Sequence, residues 1–132
     1  MSKVVAITGG ARGIGRATAA ALLARGHRVA IGDLDGPFTE QAARELGADC
    51  AGFPLDVTSR DSFAAFLDAA AELLGRVDVL VNNAGVTKSL GFFDVTEADW
   101  DRIYRVNAKG LFFCMQAVAR AMRDRRQGRI VN

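Results

Sequence analysis

The residues with the clearest chemical potential are the glycines of Thr8-Gly9-Gly10-Ala11-Arg12-Gly13-Ile14-Gly15, set between an apolar run, Val4 to Ile7, and an Ala-rich stretch, Ala17 to Ala24. Positions without side chains let a backbone turn tightly and approach a pyrophosphate, and the first amides of a following helix supply donors and partial positive charge. Gly9, Gly13 and Gly15 follow a GxxxGxG spacing instead of the commoner GxGxxG, so the turn alone is weak evidence for nucleotide binding. Asp33 strengthens it. This residue closes the second apolar run 18 positions after Gly15, near the distance at which an acidic side chain reaches the hydroxyls of an adenosine ribose. A carboxylate there accepts from the 2′- and 3′-hydroxyls and repels a 2′-phosphate, by about 4 kcal/mol per pair of unit charges at about 4 Å and an effective dielectric near 20. NAD is therefore expected over NADP. Arg12 and Arg16 are the counterweight, since either could meet a 2′-phosphate, and a turn of this shape that holds no ligand is the remaining alternative.

The elements that must position these groups alternate. Strands are expected at Val4 to Ile7, Arg28 to Ile31, Cys50 to Phe53 and Val77 to Val81, with helical stretches at Ala17 to Ala24, Thr39 to Leu46 and Ser59 to Leu74 between them. Strands joined through helices are crossover units, which build a doubly wound parallel sheet with helices on both faces. The expected strand order is third, second, first, fourth, with a fifth beginning at the Asn132 end. Thr58 with Asp61 and Thr96 with Asp99 have the spacing of capping boxes, and Val95 with Trp100 that of a hydrophobic staple.

A long final helix, Glu97 to Arg123, is expected next. At 100° per residue, Asn107, Leu111, Cys114, Val118 and Met122 all fall within about 40° of Trp100, which places Asn107 in the middle of an apolar stripe. An amide buried there finds partners or costs about 1 to 3 kcal/mol, so Asn107 is either satisfied structurally or held for a purpose. Val106, Phe113 and Ala117 form a second apolar line, readable as a broad core face or as a contact with another subunit. The Arg-rich end, Arg120 to Arg126, suits a solvated helix C-terminus.

Composition narrows the class of protein. The chain has 132 residues, 50% hydrophobic and 24% charged with only 2 Pro, which fits one globular domain and excludes a disordered or collagen-like chain. Seventeen Lys and Arg against 15 Asp and Glu leave a formal charge of +2, too little to indicate a nucleic-acid or acidic-membrane partner. No apolar run approaches the roughly 18 residues of a membrane span, and the start enters a strand pattern directly, so a cytoplasmic protein is expected. Cys50 and Cys114 are isolated, without metal-ligand spacing, and read as reduced packing thiols. The single histidine, His27, reads as a solvated or hydrogen-bonded side chain.

With the Thr8-Gly-x-x-x-Gly-x-Gly15 turn, Leu55-Asp56-Val57, Asn82-Asn83-Ala84-Gly85 and Arg105-Val106-Asn107 in this order, the chain resembles the short-chain dehydrogenase/reductase family along its whole length. The resemblance implies that Gly9, Arg12 and Ile14 line the pyrophosphate, beside Gly13 and Gly15 of the turn. It implies that Asp33 holds the adenosine ribose, that Asp56 and Val57 meet the adenine, and that Asn83, Ala84 and Gly85 border the cofactor and brace the sheet. Asn107 is similar to the family's helix asparagine, a catalytic position that helps hold the water of a proton relay. Thr87 to Phe93 lies where substrate could be touched. The implied reaction is hydride transfer between NAD and a small secondary alcohol or carbonyl substrate, in a homodimer or homotetramer meeting along Glu97 to Arg123. The family's catalytic Ser and Tyr-x-x-x-Lys pair have no counterpart here. Tyr104, the single Tyr, has Ala108 four residues on. The chain is therefore expected to be the amino-terminal half of such an enzyme and to turn over no substrate alone. A non-catalytic nucleotide-binding or interaction module is the alternative, opposed by the sheet edge that an unfinished fifth strand would expose.

Overall fold

The computed structural model describes every residue from Met1 to Asn132. Five parallel strands form one sheet in the order β3-β2-β1-β4-β5: β1 (Val4–Thr8), β2 (Arg28–Asp33), β3 (Cys50–Pro54), β4 (Val79–Val81) and β5 (Arg129–Val131). The expected order and direction are both found. Val5 stands opposite Val29 on one side and Val79 on the other, which makes β1 the central strand, and all five of its residues are buried. A strand covered on both faces has no solvent side, which explains its unbroken apolar run.

Alternate residues of β1 feed two cores. Val4 and Ala6 pack with Phe63, Phe66, Cys114 and Val118, whereas Val5 and Ile7 pack with Ala19, Ala42 and Ala43. Helices α1 (Gly13–Leu23) and α2 (Gly36–Leu46) therefore cover one face, and α3 (Arg60–Leu74) with the later helices covers the other. Small Ala side chains on the first face let the helices carrying the glycine turn sit close to the strands. His27 accepts a hydrogen bond from the Lys3 amide at its Nδ1, so its ring is satisfied at the start of β2.

Two expectations are corrected. Thr58 does not cap α3. Ser59 does, its hydroxyl accepting from the Ser62 amide, while the Thr58 hydroxyl donates to Asp56. The second capping box is present: Thr96 accepts from the Asp99 amide and Asp99 from the Thr96 amide, starting α4 (Glu97–Tyr104).

The second correction concerns the long helix, which is not uniformly α-helical. Between α4 and α5 (Leu111–Asp124) lies a π-helical turn, Arg105–Gly110. Each π turn takes in an extra residue, so angles counted at 100° per residue slip across it. Cys114, Val118 and Met122 after the turn are buried as expected, but Trp100 before it is 56% exposed and stacks on Tyr104 at 4.8 Å. Asn107, inside the turn, is exposed and not in an apolar stripe. Gly110 is buried there, and it is a glycine because a Cβ would stand 2.8 Å from the Val57 carbonyl oxygen.

Candidate functional site

At the carboxyl ends of β1, β2 and β3, where an open doubly wound sheet receives its ligands, lies a cleft of about 370 Å³. Its walls bring together Gly9, Arg12, Ile14, Asp33, Asp56, Val57, Asn83, Ala84 and Gly85, nine of the twelve positions singled out in the sequence. Gly13, Gly15 and Asn107 do not line it. Leu34, Leu55, Val86 and Val106 do; Leu55 and Val106 stand in the quoted motifs without an assigned contact, and Leu34 and Val86 lie outside them. Ile14 and Leu34 are 79% and 73% exposed, two large apolar side chains at the mouth of a polar turn. Such exposure suits contact with a flat apolar ligand group.

The glycines divide into two kinds. Gly9 and Gly13 have φ of +66° and +55°, a left-handed backbone that side chains disfavour. Gly15 is required by space instead, because a Cβ would run into the Gly9 carbonyl and stand 2.6 Å from Asn83 Nδ2. Gly10 is required as well: a Cβ would lie 2.7 Å from Ile31. The spacing argument missed it, because the pressure on Gly10 comes from β2 and not from a ligand.

What fixes the turn is a clasp across the sheet. Asn83 Nδ2 donates to the carbonyls of Thr8 at 3.1 Å and Gly9 at 3.0 Å, and the amides of Asn83 and Ala84 both donate to Thr8 Oγ1. Thr8, the first residue of the motif, is thus the acceptor that joins β1 to the segment after β4. Helix α1 begins at Gly13, and Arg12 at its N-cap provides no side-chain cap, so the first amides are left for an anion.

Asp33 is half-buried at the end of β2. Its two carboxylate oxygens accept from the Ala11 amide at 3.2 Å and the Leu34 amide at 3.0 Å, which ties it to the glycine turn. Of the two arginines weighed against it, Arg16 is engaged in an ion pair, while Arg12 lines the cleft. Arg16 pairs with Glu45 at 2.6 Å, a bond that holds the Glu45 carboxyl below its usual range, and the Arg12 guanidinium lies 4.7 Å from the Phe38 ring centre. Asp56 accepts from the amide and hydroxyl of Thr58, fixing the rim beside Val57.

Asn107 lies behind the cleft. Its Oδ1 accepts from the Val86 amide and its Nδ2 donates to the Val86 carbonyl, both at 2.8 Å, so the side chain pins the strand that leaves Gly85. The second apolar line divides: Val106 lines the cleft, whereas Phe113, under the Arg60 guanidinium at 3.7 Å, and Ala117 line a hollow between α3 and α5. Both cysteines are free thiols, and burial pushes Cys114 up to about 12 and Cys50 to about 11.

The chain has known relatives in sequence. The chain is 41% identical to 2-(S)-hydroxypropyl-CoM dehydrogenase 3 of Xanthobacter autotrophicus, over 99% of this chain and 52% of that protein. It is 42% identical to L-2,3-butanediol dehydrogenase of Corynebacterium glutamicum, over 100% of this chain and 54% of that protein. It is 40% identical to sorbitol dehydrogenase of Cereibacter sphaeroides, over 98% of this chain and 51% of that protein. The chain thus spans about half the length of the curated relatives it matches. The sequence profile described as short chain dehydrogenase matches residues 3–132, and with the glycine turn, the Asn83 clasp and the sheet order it shows that the chain belongs to that family.

Proposed function

We propose that the chain is the cofactor-binding part of a cytoplasmic NAD-dependent oxidoreductase that moves a hydride between the nicotinamide and a small secondary alcohol or its carbonyl counterpart. The observation that carries this reading is the tethering of Asp33 to the glycine turn, beside a cleft from which Arg16 is drawn away by its ion pair with Glu45. A dinucleotide fits the residues present: glycines where side chains would block or strain the backbone, uncapped α1 amides, and apolar Ile14 and Leu34 at the mouth. The relatives named for hydroxypropyl-CoM, butanediol and sorbitol support an alcohol substrate.

When bound, the cofactor supplies the nicotinamide carbon that takes or gives the hydride. The chain's own work is to hold and orient. The amides around Gly13 and Ile14, with Gly9 and Arg12, take the pyrophosphate; Asp33 accepts from the ribose hydroxyls; Asp56 and Val57 border the adenine. Asn83, Ala84 and Gly85 keep the turn at its distance from β4, and Gly15 closes the contact between α1 and the turn. Asn107 holds Val86 and so the chain beyond Gly85, which gives the catalytic assignment of this residue a positioning route. Tyr104 is given no proton-transfer role, because its ring is stacked on Trp100 and Ala108 stands four positions on. In this reading copies of the chain meet along Glu97 to Arg123, where Trp100, Tyr104 and Phe112 are each more than half exposed. No helix is long and apolar enough to cross a membrane.

Titration of the chain with NADH, read by nicotinamide fluorescence, tests the reading. Saturable binding that NAD displaces is expected. Absence of binding at millimolar NADH would remove it.

A further inference from the structure

Helices α1, α2 and α3 are followed by Gly26, Gly47 and Gly75, each with a positive φ. Helix α5 is followed by Arg126 at φ +54°, the chain's single non-glycine residue with a positive φ. The turn around Arg126 is well formed: its amide donates to the Arg123 carbonyl and the Gln127 amide to the Met122 carbonyl, the paired bonds that end a helix through a left-handed residue. Gly128 then passes so close to Met122 that a Cβ would stand 2.8 Å from the Met122 Cβ, so a glycine is required two positions beyond Arg126. Glycine is the favoured residue where Arg126 stands, yet the chain places its largest cation there. An unfavourable residue held by its surroundings points to a use for the side chain.

Arg126 stands on the wall of a pocket of about 690 Å³ at the amino ends of β1, β4 and β5, the edge of the sheet opposite the cofactor cleft. Lys3, Arg123 and Arg129 line it too, with Asp78 as the single carboxylate. Asp78 is already committed, accepting from the Val4 amide and pairing with Arg76 at 3.7 Å. Arg123 pairs with the exposed Asp124 at 2.9 Å, whereas Lys3, Arg126 and Arg129 take part in none of the chain's five ion pairs. Next to this wall the Arg125 side chain donates to the carbonyls of Val77 and Gln127. Burial and then the neighbouring Arg76 charge lower its affinity for a proton, a sign that cations are in excess at this edge.

We propose that this pocket binds a small phosphate-type polyanion, with Arg126 projecting into it from the end of α5 and Lys3 and Arg129 facing it from the ends of β1 and β5. Excess positive charge in a concave site selects for such an anion, and guanidinium groups match phosphate oxygens in geometry. The site is separate from the glycine turn and does not rest on the cofactor assignment.

The experiment is titration of the whole chain with tripolyphosphate at constant ionic strength, with backbone amide shifts read residue by residue and inorganic phosphate as a second probe. Binding that shifts Lys3 and Arg126 to Arg129, tighter for tripolyphosphate than for phosphate, is the expected result. Arg126→Gly should weaken it about tenfold while raising Tm by a few degrees, because glycine suits the backbone there. Arg126→Lys should keep most of the affinity. A loss of binding in a better-folded variant cannot be ascribed to misfolding. Unchanged affinity in Arg126→Gly, shifts confined to Gly9 to Gly15, or no binding at millimolar tripolyphosphate would each overturn the proposal.

Discussion

Replacing Asn83 by Ala removes one side chain and tests the clasp that sets the glycine turn. Two hydrogen bonds are lost, from Nδ2 to the carbonyls of Thr8 and Gly9, while the backbone bonds from Asn83 and Ala84 to Thr8 Oγ1 are retained. At about 0.5 to 1.5 kcal/mol for each net hydrogen bond, the change costs about 1 to 3 kcal/mol. That is a large share of the roughly 5 to 15 kcal/mol by which a domain is stable. For a chain of this length Tm should fall by about 4 to 10 °C, measured by circular dichroism at fixed protein concentration. The loss is local, so Gly9 should loosen and NADH affinity should fall further than global stability alone requires. Asn83→Asp should be worse than Asn83→Ala, because it turns an acceptor toward two carbonyl oxygens. A Tm within about 1 °C of the parent, with NADH affinity unchanged, would refute the clasp.

Asn107→Leu should cost about 1 kcal/mol in a denaturant melt, since both bonds to the Val86 backbone are lost and position 107 is exposed; a stabilised variant would restore the buried-stripe reading. The hydrogen bond from Lys88, then those from the Thr96 hydroxyl and amide, hold Asp99 at about 2, below the usual 3.8. A carboxyl depressed by folding contributes stability above its ordinary pKa and loses it as the pH falls, so the start of α4 should persist to about pH 4 and loosen toward pH 2. An Asp99 titration midpoint near 3.8, read by nuclear magnetic resonance, would contradict this. With both thiols held protonated by burial, iodoacetamide at pH 8 should label Cys114 and Cys50 only after denaturant is added, and rapid labelling of the native chain in mass spectra would count against their packing.

The sheet was legible because apolar runs bounded by turns report burial directly, and β1 to β4 stand where those runs predicted, β4 starting at Val79 and not Val77. Asp33 and the glycine turn were legible because their spacing follows from one strand and one helix. Other features depended on what lies across the sheet. Gly10 answers to Ile31, Thr8 to Asn83, and Gly110 to the Val57 carbonyl, contacts between residues that are 21 to 75 positions apart or separated by a helix. Asn107 was noticed for the wrong reason. Angle counting assumed an unbroken α-helix, the π turn shifted the phase, and the amide faces Val86 instead of an apolar stripe. Ser59 displaced Thr58 as a cap because Thr58 is taken by the Asp56 carboxylate, a competition that spacing does not reveal.

The account rests most heavily on Asp33 as the residue that reads the adenosine ribose. Its direct test is the ratio of NAD to NADP affinity in the parent chain and in Asp33→Asn, which keeps an acceptor oxygen and removes the charge. The parent should favour NAD by at least about tenfold, from charge-assisted hydrogen bonds to the ribose hydroxyls and repulsion of a 2′-phosphate. In Asp33→Asn the ratio should approach one, through weaker NAD and tighter NADP binding. Equal affinities in the parent, or a ratio left unchanged by the substitution, would contradict the account.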